Sequence, residues 1–132
     1  MISEIEDIEI KKELAKEHFN NYEKYYDEKN YPKASEFLWG TLNNIFYAIG
    51  LTYNIKLSNY EHIKNFIPTL ANEYSYPEIT DQYKAAETLH ANFYHDFMDE
   101  DLFEYNKEKV VSLIFRLYDI LSDRIEKTKE IA

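Results

Sequence analysis

Residues 32–53 read PKASEFLWGTLNNIFYAIGLTY, and the fold turns on how they are read. Pro32 is excluded from a helix interior but suits a first turn, where its missing N–H has no intrahelical partner anyway. From there Ala34, Phe37, Leu38, Thr41, Leu42, Ile45, Phe46, Ala48 and Ile49 recur at steps of three and four. That is the spacing of one side of an α-helix. The apolar arc covers more than half the circumference, so this helix is expected to be central, with neighbours on two sides. Trp39 falls at one edge of the arc. Gly40 lies on the other side, where a neighbouring backbone is expected to come close. It costs roughly 1 kcal/mol of helix propensity relative to Ala.

The flanking sequence carries the same period. Two glycines and three prolines in 132 residues, with no sustained alternation, predict an all-α chain. The expectation is one domain over residues 1–132, an antiparallel up-and-down bundle of about five helices. The first helix spans about Ser3 to Lys29, with Leu14, Ala15, His18, Phe19, Tyr22, Tyr25 and Tyr26 inward. Ile5 and Ile10 fall off that face, so residues 1–12 are expected to project, fray or meet a partner. A third helix opens at Ser58, where Ser58 and Glu61 have capping-box spacing. It carries Ile63, Phe66, Ile67 and Leu70, and Pro68 should kink or split it near Phe66. A fourth opens at Ser75-Tyr76-Pro77-Glu78 and runs to about Phe97. An acidic loop follows, and a fifth helix from Lys107 to about Lys129 presents Val110, Leu113, Ile114, Leu117, Tyr118, Leu121 and Ile125. Arg124, Lys127 and Lys129 suit the negative end of its own dipole.

Composition removes several functions. No cysteine is present, which excludes a disulfide scaffold, Cys-ligated zinc, an iron–sulfur cluster and a thiol nucleophile. No apolar run approaches the ~20 residues of a membrane span, and the acidic start MISEIEDIEI lacks signal-peptide layout. A cytoplasmic chain with no membrane partner is expected. The net charge of −10 and the two arginines, Arg116 and Arg124, disfavour nucleic acid, whose affinity comes from Lys and Arg on phosphate. Thirteen tyrosines suit a helical core with a wet rim.

The stretch 87–97, ETLHANFYHDF, carries the chemistry-like spacing. Glu87 and His90 lie a turn apart on one side of a helix. Di-iron bundles use Glu-x-x-His twice, and no second copy occurs here, so no metal and no cofactor are expected. Helical projection puts His90 among Ile79, Tyr83, Ala86, Phe93 and Phe97, near the middle of the apolar stripe, with Glu87 at its edge beside Tyr94. A core histidine bonded to a neighbour is the simpler reading. His18 also falls on an apolar face, and a buried polar ring needs a partner. His62 and His95 face solvent. Asp96, Asp99, Glu100, Asp101 and Glu104 lack EF-hand spacing and read as a solvated loop. There is no Gly-rich phosphate loop and no nucleophile elbow.

From Leu14 to Leu121 the chain resembles the HEPN superfamily of small helical bundles, through the long first helix leading into YYDEKNYPKASEFLWGTLNNIF. Trp39-Gly40 together with Leu89-His90-Ala91-Asn92-Phe93-Tyr94 is similar to the archaeal PaREP-type proteins. The resemblance implies dimerisation, or pairing with a protein such as a nucleotidyltransferase. Active HEPN ribonucleases carry Arg, then four to six residues, then His. Here the nearest counterpart is Lys84 before His90, and lysine lacks the guanidinium fork. On a regular helix the two point about 120° apart.

Three functions follow as expectations. The first is a non-catalytic bundle that associates as a homodimer or with a protein partner. The second is an RNA-directed enzyme with His90 as acid/base and Lys84, Asn92 or Tyr94 near the phosphate. The third is a ligand or metal pocket around His18, Glu87, His90 and Tyr94.

Overall fold

The computed structural model describes residues 2–131, with side chains from 5 to 130. Met1 and Ala132, part of the expected 1–132 domain, lie outside them. Among the described residues the chain forms five helices and no strand: α1 (Ile2–Asp27), α2 (Tyr31–Thr52), α3 (Tyr60–Glu73), α4 (Ile79–His95) and α5 (Glu100–Ile131). No helix is long and apolar enough to cross a membrane among these residues.

The expected central helix is central. α2 packs against α1, α4 and α5, α4 also packs against α5, and α3 attaches to α4. Ala34, Leu38, Leu42, Ile45, Phe46, Ala48 and Ile49 are fully buried in α2. The Asn30 side chain caps its start, accepting from Lys33 N–H, with Pro32 in the first turn. Gly40 meets a side chain rather than a backbone. A Cβ there would sit 3.2 Å from the ring of His18 on α1.

Four boundaries differ from expectation, each for a local reason. α1 is helical throughout its described length and Ile8 is buried, so these early turns pack as well as project; Ile5 and Ile10 are exposed. α3 is capped by Asn59, which accepts from His62 N–H, and not by Ser58. It runs through Pro68 without splitting, and Pro68 lies on the exposed face of the helix, away from its buried row of Ile63, Phe66, Ile67 and Leu70. Ser75 closes α3 instead of opening α4: it takes a positive φ of 49° while Tyr76 N–H bonds back to Ala71. α4 therefore starts at Ile79 with no side-chain cap.

The largest correction concerns the acidic loop. From Glu100 onward it is the first two turns of α5. Asp99 caps the helix, accepting from Leu102 N–H at 2.8 Å, and Glu100 and Asp101 occupy the first turn. Acidic groups there offset the positive end of the helix dipole. Phe103 and Asn106 extend the buried row Val110, Leu113 and Leu117 backwards at steps of three and four. Arg124 also departs from its expected place, since its guanidinium bonds Thr52 at the end of α2 rather than its own helix end.

Candidate functional site

α2 carries a second row beside its apolar arc. Glu36, Trp39, Asn43 and Tyr47 follow one another at steps of three and four and stand on one side of the helix. α4 presents Tyr83, Glu87, His90, Ala91 and Tyr94 at similar steps. Between the two rows, with Tyr60 at the start of α3 as a third wall, lies a cleft of about 450 Å³. Trp39, Asn43, Tyr47, Tyr60, Glu87, His90 and Ala91 line it.

His90 sits at the edge of the α4 stripe, not in its middle, which is occupied by Ala85, Ala86, Leu89 and Asn92. Its Nδ1 lies 2.8 Å from Glu36 Oε2, and each side chain is 33% exposed. The imidazole stacks on Trp39 with centroids 4.6 Å apart and planes 17° apart. Tyr94 meets the same imidazole with centroids 5.3 Å apart and planes near perpendicular, and is itself mostly exposed. A carboxylate on Nδ1 fixes the ring's orientation and leaves Nε2 for other partners. Phe93 is half-buried and Phe97 is exposed. α4 stops at Asp96, which adopts the left-handed conformation, so Phe97 lies beyond the helix.

The opposite wall is a second polar pair. Tyr60 Oη donates to Glu87 Oε2 at 2.7 Å. This bond, with some burial, raises the Tyr60 pKa above the usual tyrosine value. Burial raises that of Tyr47. Tyr83, buried below, donates to Asn43 Oδ1 at 3.1 Å. Two lysines reach over the rings from the rim. Lys64 Nζ is 5.1 Å from the Tyr60 centroid and Lys11 Nζ is 5.5 Å from that of Tyr47.

The other sequence candidates separate. His18 packs against Gly40 and lies 5.7 Å from Phe37, and its buried Nδ1 has no partner among the described residues. It meets α2 at different side chains from His90. Lys84 is exposed and not among the cleft-lining residues. Asn92 is fully buried and structural, for its Oδ1 accepts from Phe97 and Met98 N–H, both at 2.9 Å. His95 and His62 are exposed, though His62 Nδ1 accepts from Ser58 N–H. Among the described residues no three His, Asp or Glu gather as a metal site would require. Glu36, Asn43, Tyr47 and Tyr60 escaped the sequence reading. For the first three the signal was present as a polar–aromatic row at helical spacing on α2.

The family model described as Archaeal PaREP1/PaREP8 matches residues 10–114, about four fifths of the chain and all of the cleft. No curated protein and no solved structure matches the chain significantly.

Proposed function

This chain belongs to the Archaeal PaREP1/PaREP8 family, and we propose that it is a non-catalytic binding protein whose site is the cleft between α2, α3 and α4. The observation that carries this reading is the convergence of Trp39, Tyr60, Glu87 and His90 on one cavity of small-molecule size. The cleft is walled by aromatic rings and carries a few fixed polar groups, the usual composition of a ligand site. Phosphoryl chemistry on RNA draws less support. No Lys or Arg lines the cleft, and Lys84, the basic residue nearest His90 in sequence, is exposed outside the lining.

Trp39 is the chain's single tryptophan and lies in the cleft wall. Its emission is therefore a direct reporter. In a titration with a mixed panel of neutral, anionic and cationic small molecules, at least one class should shift that emission saturably. Filling the cleft with Ala91→Phe should abolish the response. A panel in which no class moves Trp39 emission overturns the reading.

Association is the second reading, supported by exposed apolar side chains around the α4–α5 turn. Tyr94, Phe97, Leu102 and Tyr105 are 41–66% exposed, more large apolar surface than an isolated corner needs. A homodimer, or a protein partner of the nucleotidyltransferase kind that HEPN-like bundles suggest, would cover it. Sedimentation equilibrium of the wild type and of Phe97→Asp tests this. A monomer in both cases, with no partner co-purifying, removes it.

A further inference from the structure

Three walls of the cleft are the electron-rich rings of Trp39, Tyr47 and Tyr60. Such rings present negative faces. Beside them stands Glu87, whose hydrogen-bond partner is the neutral hydroxyl of Tyr60. Among the described residues no Lys, Arg or His nitrogen lies within 4 Å of its carboxylate. The charge of Glu36 is in a different position, held against His90. The cleft thus offers an incoming group one carboxylate and aromatic walls, and no lining Lys or Arg that would favour an anion, although His90 covers one face of Trp39 and two rim lysines lie over Tyr60 and Tyr47.

The chain already places cations at this corner. Lys64 and Lys11 each hold an ammonium over a cleft ring, at 5.1 and 5.5 Å. Lys64 is exposed and reaches in from the rim. The centroids of Trp39 and Tyr60 are 6.3 Å apart with planes inclined by 42°. One cation can therefore lie within the ~6 Å reach of cation–π attraction for both rings. Apolar ring walls cover alkyl groups better than the hydration shell of a bare ammonium.

We infer, resting on the cleft reading above, that the ligand is a small organic cation: an alkylated ammonium on a short chain. Its charge faces Glu87 and its alkyl groups lie on Trp39 and Tyr60. Lys64 is its intramolecular competitor, for the Tyr60 face and for the negative field of Glu87 alike.

Choline and its uncharged carbon isostere, with a tert-butyl group in place of the trimethylammonium, are titrated into the full chain and read by Trp39 emission. Choline should bind at least about tenfold more tightly, the worth of a partly desolvated cation–π contact plus a carboxylate. Glu87→Gln should remove most of that preference, and Lys64→Met should tighten choline binding. Both positions are at least partly solvent-exposed, and unchanged circular dichroism would show that the variants fold. Equal binding of choline and isostere overturns the cation assignment, and a preference left undiminished by Glu87→Gln overturns Glu87 as the group its charge faces. If another class in the mixed panel still moves Trp39 emission, the ligand reading stands without the cation. If no class does, both fall.

Discussion

Glu36 of α2 holds His90 of α4 through a 2.8 Å contact at Nδ1, and Trp39 lies flat against the same imidazole. Both partners of the pair are a third exposed, so solvent screening limits its worth to about 1 kcal/mol or less. Glu36→Ala should lower unfolding stability by no more than that, while releasing the ring and altering Trp39 emission. Urea unfolding followed by fluorescence measures both. A loss above about 3 kcal/mol would make the pair a core element rather than a site.

Asn92 latches the α4–α5 corner by accepting from two backbone N–H groups. Asn92→Ala leaves both donors without this partner, the Met98 N–H in a buried place and the Phe97 N–H in a part-buried one, at a cost of roughly 1–3 kcal/mol. Ligand affinity in the cleft should be unchanged in the folded variant. A lower denaturation midpoint with intact binding is the expected pair of results.

The two glycines should respond differently to alanine. At Gly50 a Cβ would stand 2.8 Å from Leu57 Cγ and 2.9 Å from the Ile55 carbonyl, where backbone must move. Gly50→Ala should cost about 1–3 kcal/mol from overpacking. At Gly40 the neighbour is the part-exposed His18 ring at 3.2 Å, which can give way. A helix-propensity gain of roughly 1 kcal/mol offsets the crowding. Thermal melts should rank Gly40→Ala well above Gly50→Ala.

Arg124 ties α5 to the end of α2. It donates to the Thr52 carbonyl at 2.8 Å and to Thr52 Oγ1 at 3.2 Å, and its guanidinium lies 3.6 Å from the Tyr53 centroid. A lysine cannot reproduce the fork or the flat stacking. Arg124→Lys should therefore destabilise by about 1–3 kcal/mol, read as a shifted denaturant midpoint.

Alkali should unfold this protein through its tyrosines. The hydrogen bond from Tyr26 to Glu104, with burial and the nearby carboxylates, pushes the Tyr26 pKa up to about 12. Burial raises Tyr22, Tyr53, Tyr74 and Tyr83 as well. Groups whose folded pKa lies above the unfolded value of 10 add stability that is complete below pH 10. It is lost as pH rises through the folded value. Stability should hold to about pH 10 and fall steeply above it, with tyrosinate absorbance appearing together with loss of helix. Tyr26→Phe should flatten the fall between pH 10 and 12.

The helices and their inward faces were readable because an apolar period of three and four is a property of the local backbone. Residues 32–53 announced a central helix, and α2 does touch three others. Where local signals competed, reading slipped. Ser75 had the look of a cap yet serves the preceding helix, and the exposed acidic residues after Phe97 looked like a loop although a helix N-terminus favours them. Glu87 and His90 stood out by spacing, and both line the cleft. Their partners did not stand out. Glu36 lies 54 positions from His90, Tyr60 lies 27 from Glu87 and His18 lies against Gly40. Such pairings depend on how the helices cross and which rotamers meet there. The face of each helix was therefore legible in the order of residues, while the company each polar side chain keeps came from packing.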